Sequence, residues 1–307
     1  MAVRFLVRLG SPALAAAALL GCASKPLPPE PPRMETVSKV TTTSVSSSTS
    51  SAAPLTREQV AAIVASPDRT DADRTNDQRR HPADLMTFVG ARPGWTVLDV
   101  STGGGYTTEL LARMVRPTGM VWAQGRPRNP NAPAVRPAQP EGGAAPPVGM
   151  PAPARTAADV LAERSGRMKA AGVAAAPIAY VALPFDDPVP PEVADGRLDL
   201  VTLMFNYHDF GWIPVDRARM NRAIFAALKP GGLYVIADHA GRPGTGITEA
   251  GTLHRIEESF LRKEVEAAGF RLLAEGDFLR NPGDPRDRNT PEPLQPKDEF
   301  VLKFVKP

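Results

Sequence analysis

Thr96-Val97-Leu98-Asp99-Val100-Ser101-Thr102-Gly103-Gly104-Gly105-Tyr106 is the stretch on which the fold turns. A short β-branched and apolar run ends in an acid, a glycine turn follows, and a helix begins. Such a strand–loop–helix unit brings backbone close to a ligand, because glycines lack the Cβ atoms that would block the approach. The start of the helix then presents free N–H groups to an anion such as a carboxylate. Over residues 107–115, Leu110, Leu111, Met114 and Val115 fall on one helical stripe, which places that face on the sheet.

Working outward, the same alternation continues. Residues 119–124 (Gly-Met-Val-Trp-Ala-Gln) read as a second buried strand and 156–171 as a helix. Residues 179–183 form a third strand ending in Pro184-Phe185-Asp186-Asp187. The continuous apolar run at 199–205 is what the centre of a parallel sheet requires. A helix over 215–228 leads through Lys229-Pro230-Gly231-Gly232 to a strand at 233–238. Leu253, Ile256, Phe260, Leu261, Val265 and Ala268 make one helical face with Gly269 as its cap. Strands at 271–275 and 299–305 finish the chain, separated by a long loop rich in Pro and Asp. Alternating strands and helices predict an α/β fold, a mostly parallel sheet with helices on both faces. Ligands of such sheets sit at the carboxyl ends of the strands.

The N-terminal region reads differently. Arg4 and Arg8 precede an apolar run at 9–20, and Leu19-Leu20-Gly21-Cys22 follows. This is the pattern of a secretory signal over residues 1–22, and its ending looks like a bacterial lipobox with lipid on Cys22. The run is shorter than the roughly 20 residues a spanning helix needs. Cys22 is the only cysteine, so no internal disulfide and no thiolate metal site exist. The expected location is the cell envelope, anchored by lipid, on the periplasmic face of the outer membrane. Residues 23–54 are expected to be a flexible Pro/Ser/Thr-rich tether. The folded domain is expected at 55–307, with Thr56-Arg57-Glu58-Gln59 capping a short helix through Ala65. Residues 125–154 hold nine prolines and are expected to be a disordered or loosely packed insertion. Net charge is +3 and scattered, and no basic face interleaved with aromatics is present, so nucleic acid is not an expected partner. Oligomeric state is left open.

The glycine cluster departs from the G-x-G-x-x-G dinucleotide fingerprint: Asp99 is followed by Gly103 at plus four and Gly105 at plus six. This resembles the first motif of class I S-adenosylmethionine-dependent methyltransferases, acid-x-G-x-G-x-G, with Ser101 at its first glycine. Residues 199–209 and the Leu-Lys-Pro-Gly-Gly turn at 228–232 are similar to further stretches of that superfamily. Arg80-His81-Pro82, Asn206-Tyr207-His208-Asp209, Asp238-His239-Ala240, Leu253-His254-Arg255 and Leu279-Arg280-Asn281-Pro282 resemble a bacterial group of methyltransferases known chiefly from sequence. The resemblance implies a Rossmann-like seven-stranded sheet whose last strand is antiparallel, and S-adenosyl-L-methionine as cofactor. It implies that Asp99, with the backbone of Ser101, Gly103 and Gly105, holds the methionine end. Asp186 or Asp187 would contact the adenine, and Asn206 would join the cofactor-binding set. The superfamily usually ends its second strand in an acid that holds the ribose. Here that position is Gln124, which offers a hydroxyl only a neutral hydrogen bond.

Only His81, His208, His239 and His254 occur. His208 and His239 follow adjacent strands, so both belong at the ligand edge, beside Asp209 and Asp238. An imidazole oriented by a carboxylate suits general acid–base work, and His208, Asp209 and His239 are the expected catalytic residues. The same donors suit a divalent metal, but no i, i+4 histidine spacing supports one and none is expected. His254 is expected to begin a helix as a capping or packing group, and His81 to be structural. Tyr106, Phe205, Tyr207 and Trp212 belong near the same rim, where aromatic faces attract a sulfonium. Asp84 and Glu109 read as solvated helix residues.

The first functional expectation is methyl transfer from S-adenosylmethionine to a small molecule, with His208 and Asp209 as base and His239 facing the acceptor. The alternative is a catalytically inactive or repurposed metabolite-binding lipoprotein on the same scaffold, favoured by the missing ribose acid and the export signal. Metal-assisted hydrolysis ranks third.

Overall fold

The structure, a computed structural model, describes residues 52–127, 155–291 and 294–307. The signal, Cys22, most of the tether and residues 128–154 of the proline-rich insertion lie outside the described residues.

The domain opens with three helices: α1 (Arg57–Val64), α2 (Asp71–Arg80) and α3 (Pro82–Val89). Then come β1 (Thr96–Val100), α4 (Tyr106–Met114), β2 (Met120–Gly125), α5 (Ala157–Ala170), β3 (Ile178–Ala182) and β4 (Leu198–Met204). The chain continues with α6 (Arg217–Ala227), β5 (Leu228–His239), α7 (Ala250–Leu253), α8 (Glu258–Ala267), β6 (Arg271–Gly276) and β7 (Glu299–Val305). The seven strands lie in the order β3-β2-β1-β4-β5-β7-β6. β1 to β5 pair in parallel, and β7 runs antiparallel to both β5 and β6. The expected Rossmann-like sheet with an antiparallel last strand is what the chain forms.

β1 shows why both faces are covered. Successive side chains of a strand point to opposite faces. Val97 joins a core with Leu85, Leu110, Leu111, Leu200 and Val235, whereas Leu98 and Val100 join Val201, Leu203, Ile224 and Leu261 on the other side. The switch in strand order falls between β1 and β4, so the loops after these strands frame a crevice.

Capping boxes fix several helix starts. Thr56 and Gln59 exchange hydrogen bonds at α1, as the sequence predicts, and Thr70 with Asp73 and Thr156 with Asp159 do the same at α2 and α5. α2 carries no apolar stripe, which is why periodicity misses it. The expected single helix from 253 is broken instead. His254 takes φ 51° as the C-cap of α7, and Ile256 forms a parallel bridge with Ala240 before α8 begins. Among the described residues, no helix is long and apolar enough to cross a membrane.

The loop between β6 and β7 is well pinned. The Arg255–Asp284 pair is fully buried, Arg286 pairs with Asp298 at 2.6 Å, and Asn281 N–H donates to Asp298.

Candidate active site

The loop after β1 makes the first half of the site. Ser101 takes φ 59°, the left-handed conformation a glycine would supply at this motif position. Its N–H donates to Gln124 Oε1 at 2.9 Å. Gly103 and Gly104 line a cavity of about 190 Å³ together with Asp99, Ser101, Tyr106, Asn206, Arg80 and Arg164. Gly105 does not line it. A Cβ there would lie 2.6 Å from Leu161 Cδ2, so this glycine serves the close approach of α5 rather than a ligand.

Asp99 is buried, with Thr108 Oγ1 donating to one oxygen at 2.6 Å and Thr202 Oγ1 to the other at 2.7 Å. Burial raises its pKa to about 6, against the lowering effect of these hydroxyls and the charge of Arg80. Arg80 stacks over Phe205 at 4.6 Å and Tyr106 at 5.2 Å. Burial and the neighbouring Arg79 bring its pKa down to about 10, so it stays charged at neutral pH. Its Nε is buried without a hydrogen-bond partner among the described residues. The cavity therefore carries an acid and an arginine whose charges act on each other.

A buried ion network holds the cover over this loop. Glu109, expected to be solvated, is buried and accepts from Arg113, Arg164 and Arg167 at 2.7, 2.7 and 2.8 Å. Arg164 also donates to Asp73 of α2 and to Gly104 O. Burial raises the pKa of Asp73, but the hydrogen bonds and charge of Arg164 outweigh it and leave it at about 2. Tyr106 Oη donates to Asp77 at 2.6 Å. Asp84 fits its reading better: it is partly exposed and pairs with Arg57.

The residues expected to contact the ribose and adenine are bonded to other groups of the protein. Gln124 is fully buried, with Oε1 held by Ser101 N–H and Nε2 donating to Leu183 O at 2.6 Å, so its amide is occupied. It ties the β1 loop to the β3 loop. Asp186 and Asp187 sit at the surface, where both pair with Arg219.

The second half of the site follows β4 and β5. His208 is buried, and its Nδ1 donates to Asp238 Oδ1 at 2.6 Å while its backbone N–H donates to Asp238 Oδ2. Nε2 lies 3.3 Å from Asp209 Oδ1. Burial pushes the His208 pKa down, but Asp238 and Asp209 outweigh it and raise it to about 10. The two carboxylates thus favour its protonated form. Burial pushes Asp209 up, and His208, Asn206 and Trp212 bring it to about 2. His239 is buried with Nδ1 2.9 Å from Glu299 Oε1, which Arg79 also holds.

His254 caps α7 and reaches the site instead of starting a helix. Its Nδ1 lies 3.7 Å from Asp209 Oδ1, its ring centre is 5.5 Å from that of His208, and its side chain is 29% exposed. Trp212, 56% exposed, donates from Nε1 to Asp209 at 3.1 Å. Tyr207 is core rather than rim: it is fully buried and bonded to Glu264 and Asn221. His81 is exposed, with Nδ1 3.1 Å from Phe278 O.

Comparison with known proteins adds the following. Residues 53–127, a quarter of the chain, match the family model of protein-L-isoaspartate(D-aspartate) O-methyltransferase. No curated protein matches. A SAM-dependent methyltransferase from Aquifex aeolicus is similar in fold, at 14% identity and TM-score 0.48, over 82% of this chain and 100% of that one. A TehB-like SAM-dependent methyltransferase from Corynebacterium glutamicum is 16% identical with TM-score 0.40, over 77% and 98%. The [4+2]-cyclase SpnF is 16% identical with TM-score 0.47, over 84% and 99%. A shared sheet does not fix an activity, so function is argued from the site.

Proposed function

We propose that the chain is an S-adenosylmethionine-dependent methyltransferase acting on a small molecule. The observation that carries this reading is that Asp99 and Arg80, whose Nε has no hydrogen-bond partner among the described residues, line one cavity at the end of β1. An acid and an arginine lining one small space suit the ammonium and carboxylate of an amino-acid zwitterion. About 190 Å³ suits that moiety, being below the range for a complete drug-sized ligand. The methionine end of the cofactor therefore fits the residues present. The ribose does not find the usual acid, since Gln124 is committed to its own neighbours.

When bound, the cofactor supplies an electrophilic methyl group on a sulfonium. Asp99 and Arg80 would fix its amino-acid end, and the open Gly103 and Gly104 would let backbone approach it. Asn206 lies at the boundary, lining the cavity and holding Asp209. His208, Asp209 and His254 make the polar edge beyond it, where an acceptor would be oriented. A proton from the acceptor would go to His254 or solvent, since His208 already carries one.

The occupied amide of Gln124 favours a second reading, a binding module for a free amino acid or similar zwitterion. Calorimetry of the full chain with S-adenosylmethionine, its demethylated product and methionine separates the two. Tight binding of both nucleosides supports the first reading. Methionine binding as tightly as either supports the second, and no heat from any of the three at millimolar concentration sinks both. We further propose export and lipid anchoring at Cys22. Failure of Cys22→Ser to move the chain out of the membrane fraction would refute it.

A further inference from the structure

We infer that His208, Asp209 and His254 form a binding site for one divalent transition-metal ion of the zinc type. The proposal does not rest on the methyl-transfer reading. One ligand atom from each residue lies within 4.8 Å of the other two. His208 Nε2 is 3.3 Å and His254 Nδ1 3.7 Å from the same oxygen, Asp209 Oδ1. Bonds of about 2.1 Å to a tetrahedral zinc ion give ligand–ligand edges of about 3.4 Å. By contrast, a charge-assisted N–H···O bond closes to about 2.7–2.9 Å. The spacing is that of ligands around an ion more than that of a tight ion pair.

The supporting groups agree. Ligating histidines usually give their other ring nitrogen to a carboxylate, which fixes the ring and raises its basicity. Asp238 does this for His208 at 2.6 Å. Asp209 is itself oriented, by Asn206 Nδ2 at 2.9 Å and Trp212 Nε1 at 3.1 Å. Two carboxylates flanking one ring make this spot favourable for positive charge. An ion at Nε2 supplies that charge, releasing the Nε2 proton to solvent. His239 is not among the residues whose ligand atoms cluster here. Two imidazoles and one carboxylate leave a fourth position open on the exposed His254 side, where water or a ligand oxygen would be polarised.

The test uses the full chain after chelation and dialysis, titrated with Zn²⁺ by calorimetry and with Co²⁺ by visible absorption. One ion per chain is expected, with the intense Co²⁺ bands of a four-coordinate site. His254→Ala should weaken binding at least about tenfold and bleach those bands. Asp238→Asn, which touches no ion, should weaken it about 10- to 100-fold and shift the Co²⁺ spectrum. His81→Ala should change nothing. Absence of Zn²⁺ binding at millimolar concentration overturns the proposal, as does an His254→Ala variant that binds like the wild type. Should the buried Asp238→Asn variant fail to fold, the partly exposed His254→Ala variant still decides.

Discussion

Asn206 Nδ2 donates to Asp209 Oδ2 over 2.9 Å, and this bond joins the Asp99 cavity to the histidine cluster. The same side chain lines one and orients the other. Asn206→Ala is therefore expected to weaken both the zwitterionic ligand and Zn²⁺, each by about tenfold, the worth of one hydrogen bond to a charged group. Paired calorimetric titrations check it. Loss of only one affinity would show that the two halves are uncoupled.

Asp99 should leave a mark on stability. Its folded pKa of about 6 lies above the ordinary carboxylate value, so the folded state binds more protons across that interval. Its contribution is fully present below pH 4 and is lost as pH rises through 6. The loss amounts to about 3 kcal/mol at two pKa units. Asp99→Asn should remove this slope. Urea midpoints at pH 4 and pH 7, wild type against variant, give the measurement. Parallel curves would show that Asp99 ionises normally.

Arg80 is expected to contribute to binding at some expense of stability. Its charge is desolvated by burial, and its Nε has no hydrogen-bond partner among the described residues. Arg80→Gln should lower affinity for the zwitterion by about 10- to 100-fold while leaving the urea midpoint unchanged or raised. A large drop in midpoint would make Arg80 structural.

Arg164 is the opposite case. It bridges the buried Asp73 and Glu109 and reaches Gly104 O. Arg164→Ala leaves Asp73 without its main partner, although Arg167 still holds Glu109. A destabilisation of about 3 kcal/mol is expected, read from urea unfolding at pH 7. A change below about 1 kcal/mol would mean that Arg167 and solvent replace it.

Much of this was legible in the sequence because it is periodic. The strands at 96–100, 199–205 and 299–305 announce themselves by short, mostly apolar and β-branched stretches, and the α1 cap by Thr56 and Gln59. α2 is not legible, because Asp73, Asp77 and Arg80 are held by ion pairs and stacking rather than by an apolar stripe. Glu109 looked solvated for the same reason: its three arginines come partly from α5, more than fifty residues on. The pairing of His208 with Asp238, thirty residues apart, depends on β4 and β5 being neighbours in the sheet. His254 was read as a helix start because Leu253, Ile256 and Phe260 keep helical spacing. The bridge of Ile256 to Ala240 wins instead and turns the imidazole towards Asp209.

His254 and Arg255 are consecutive and serve different neighbours. Arg255 is clamped to Asp284, twenty-nine positions along the chain, and to the carbonyl of Ala240. The imidazole beside it inherits that anchorage through a single peptide unit. Loss of the distant aspartate would strand a buried guanidinium and disturb, through that peptide unit, the imidazole beside Asp209.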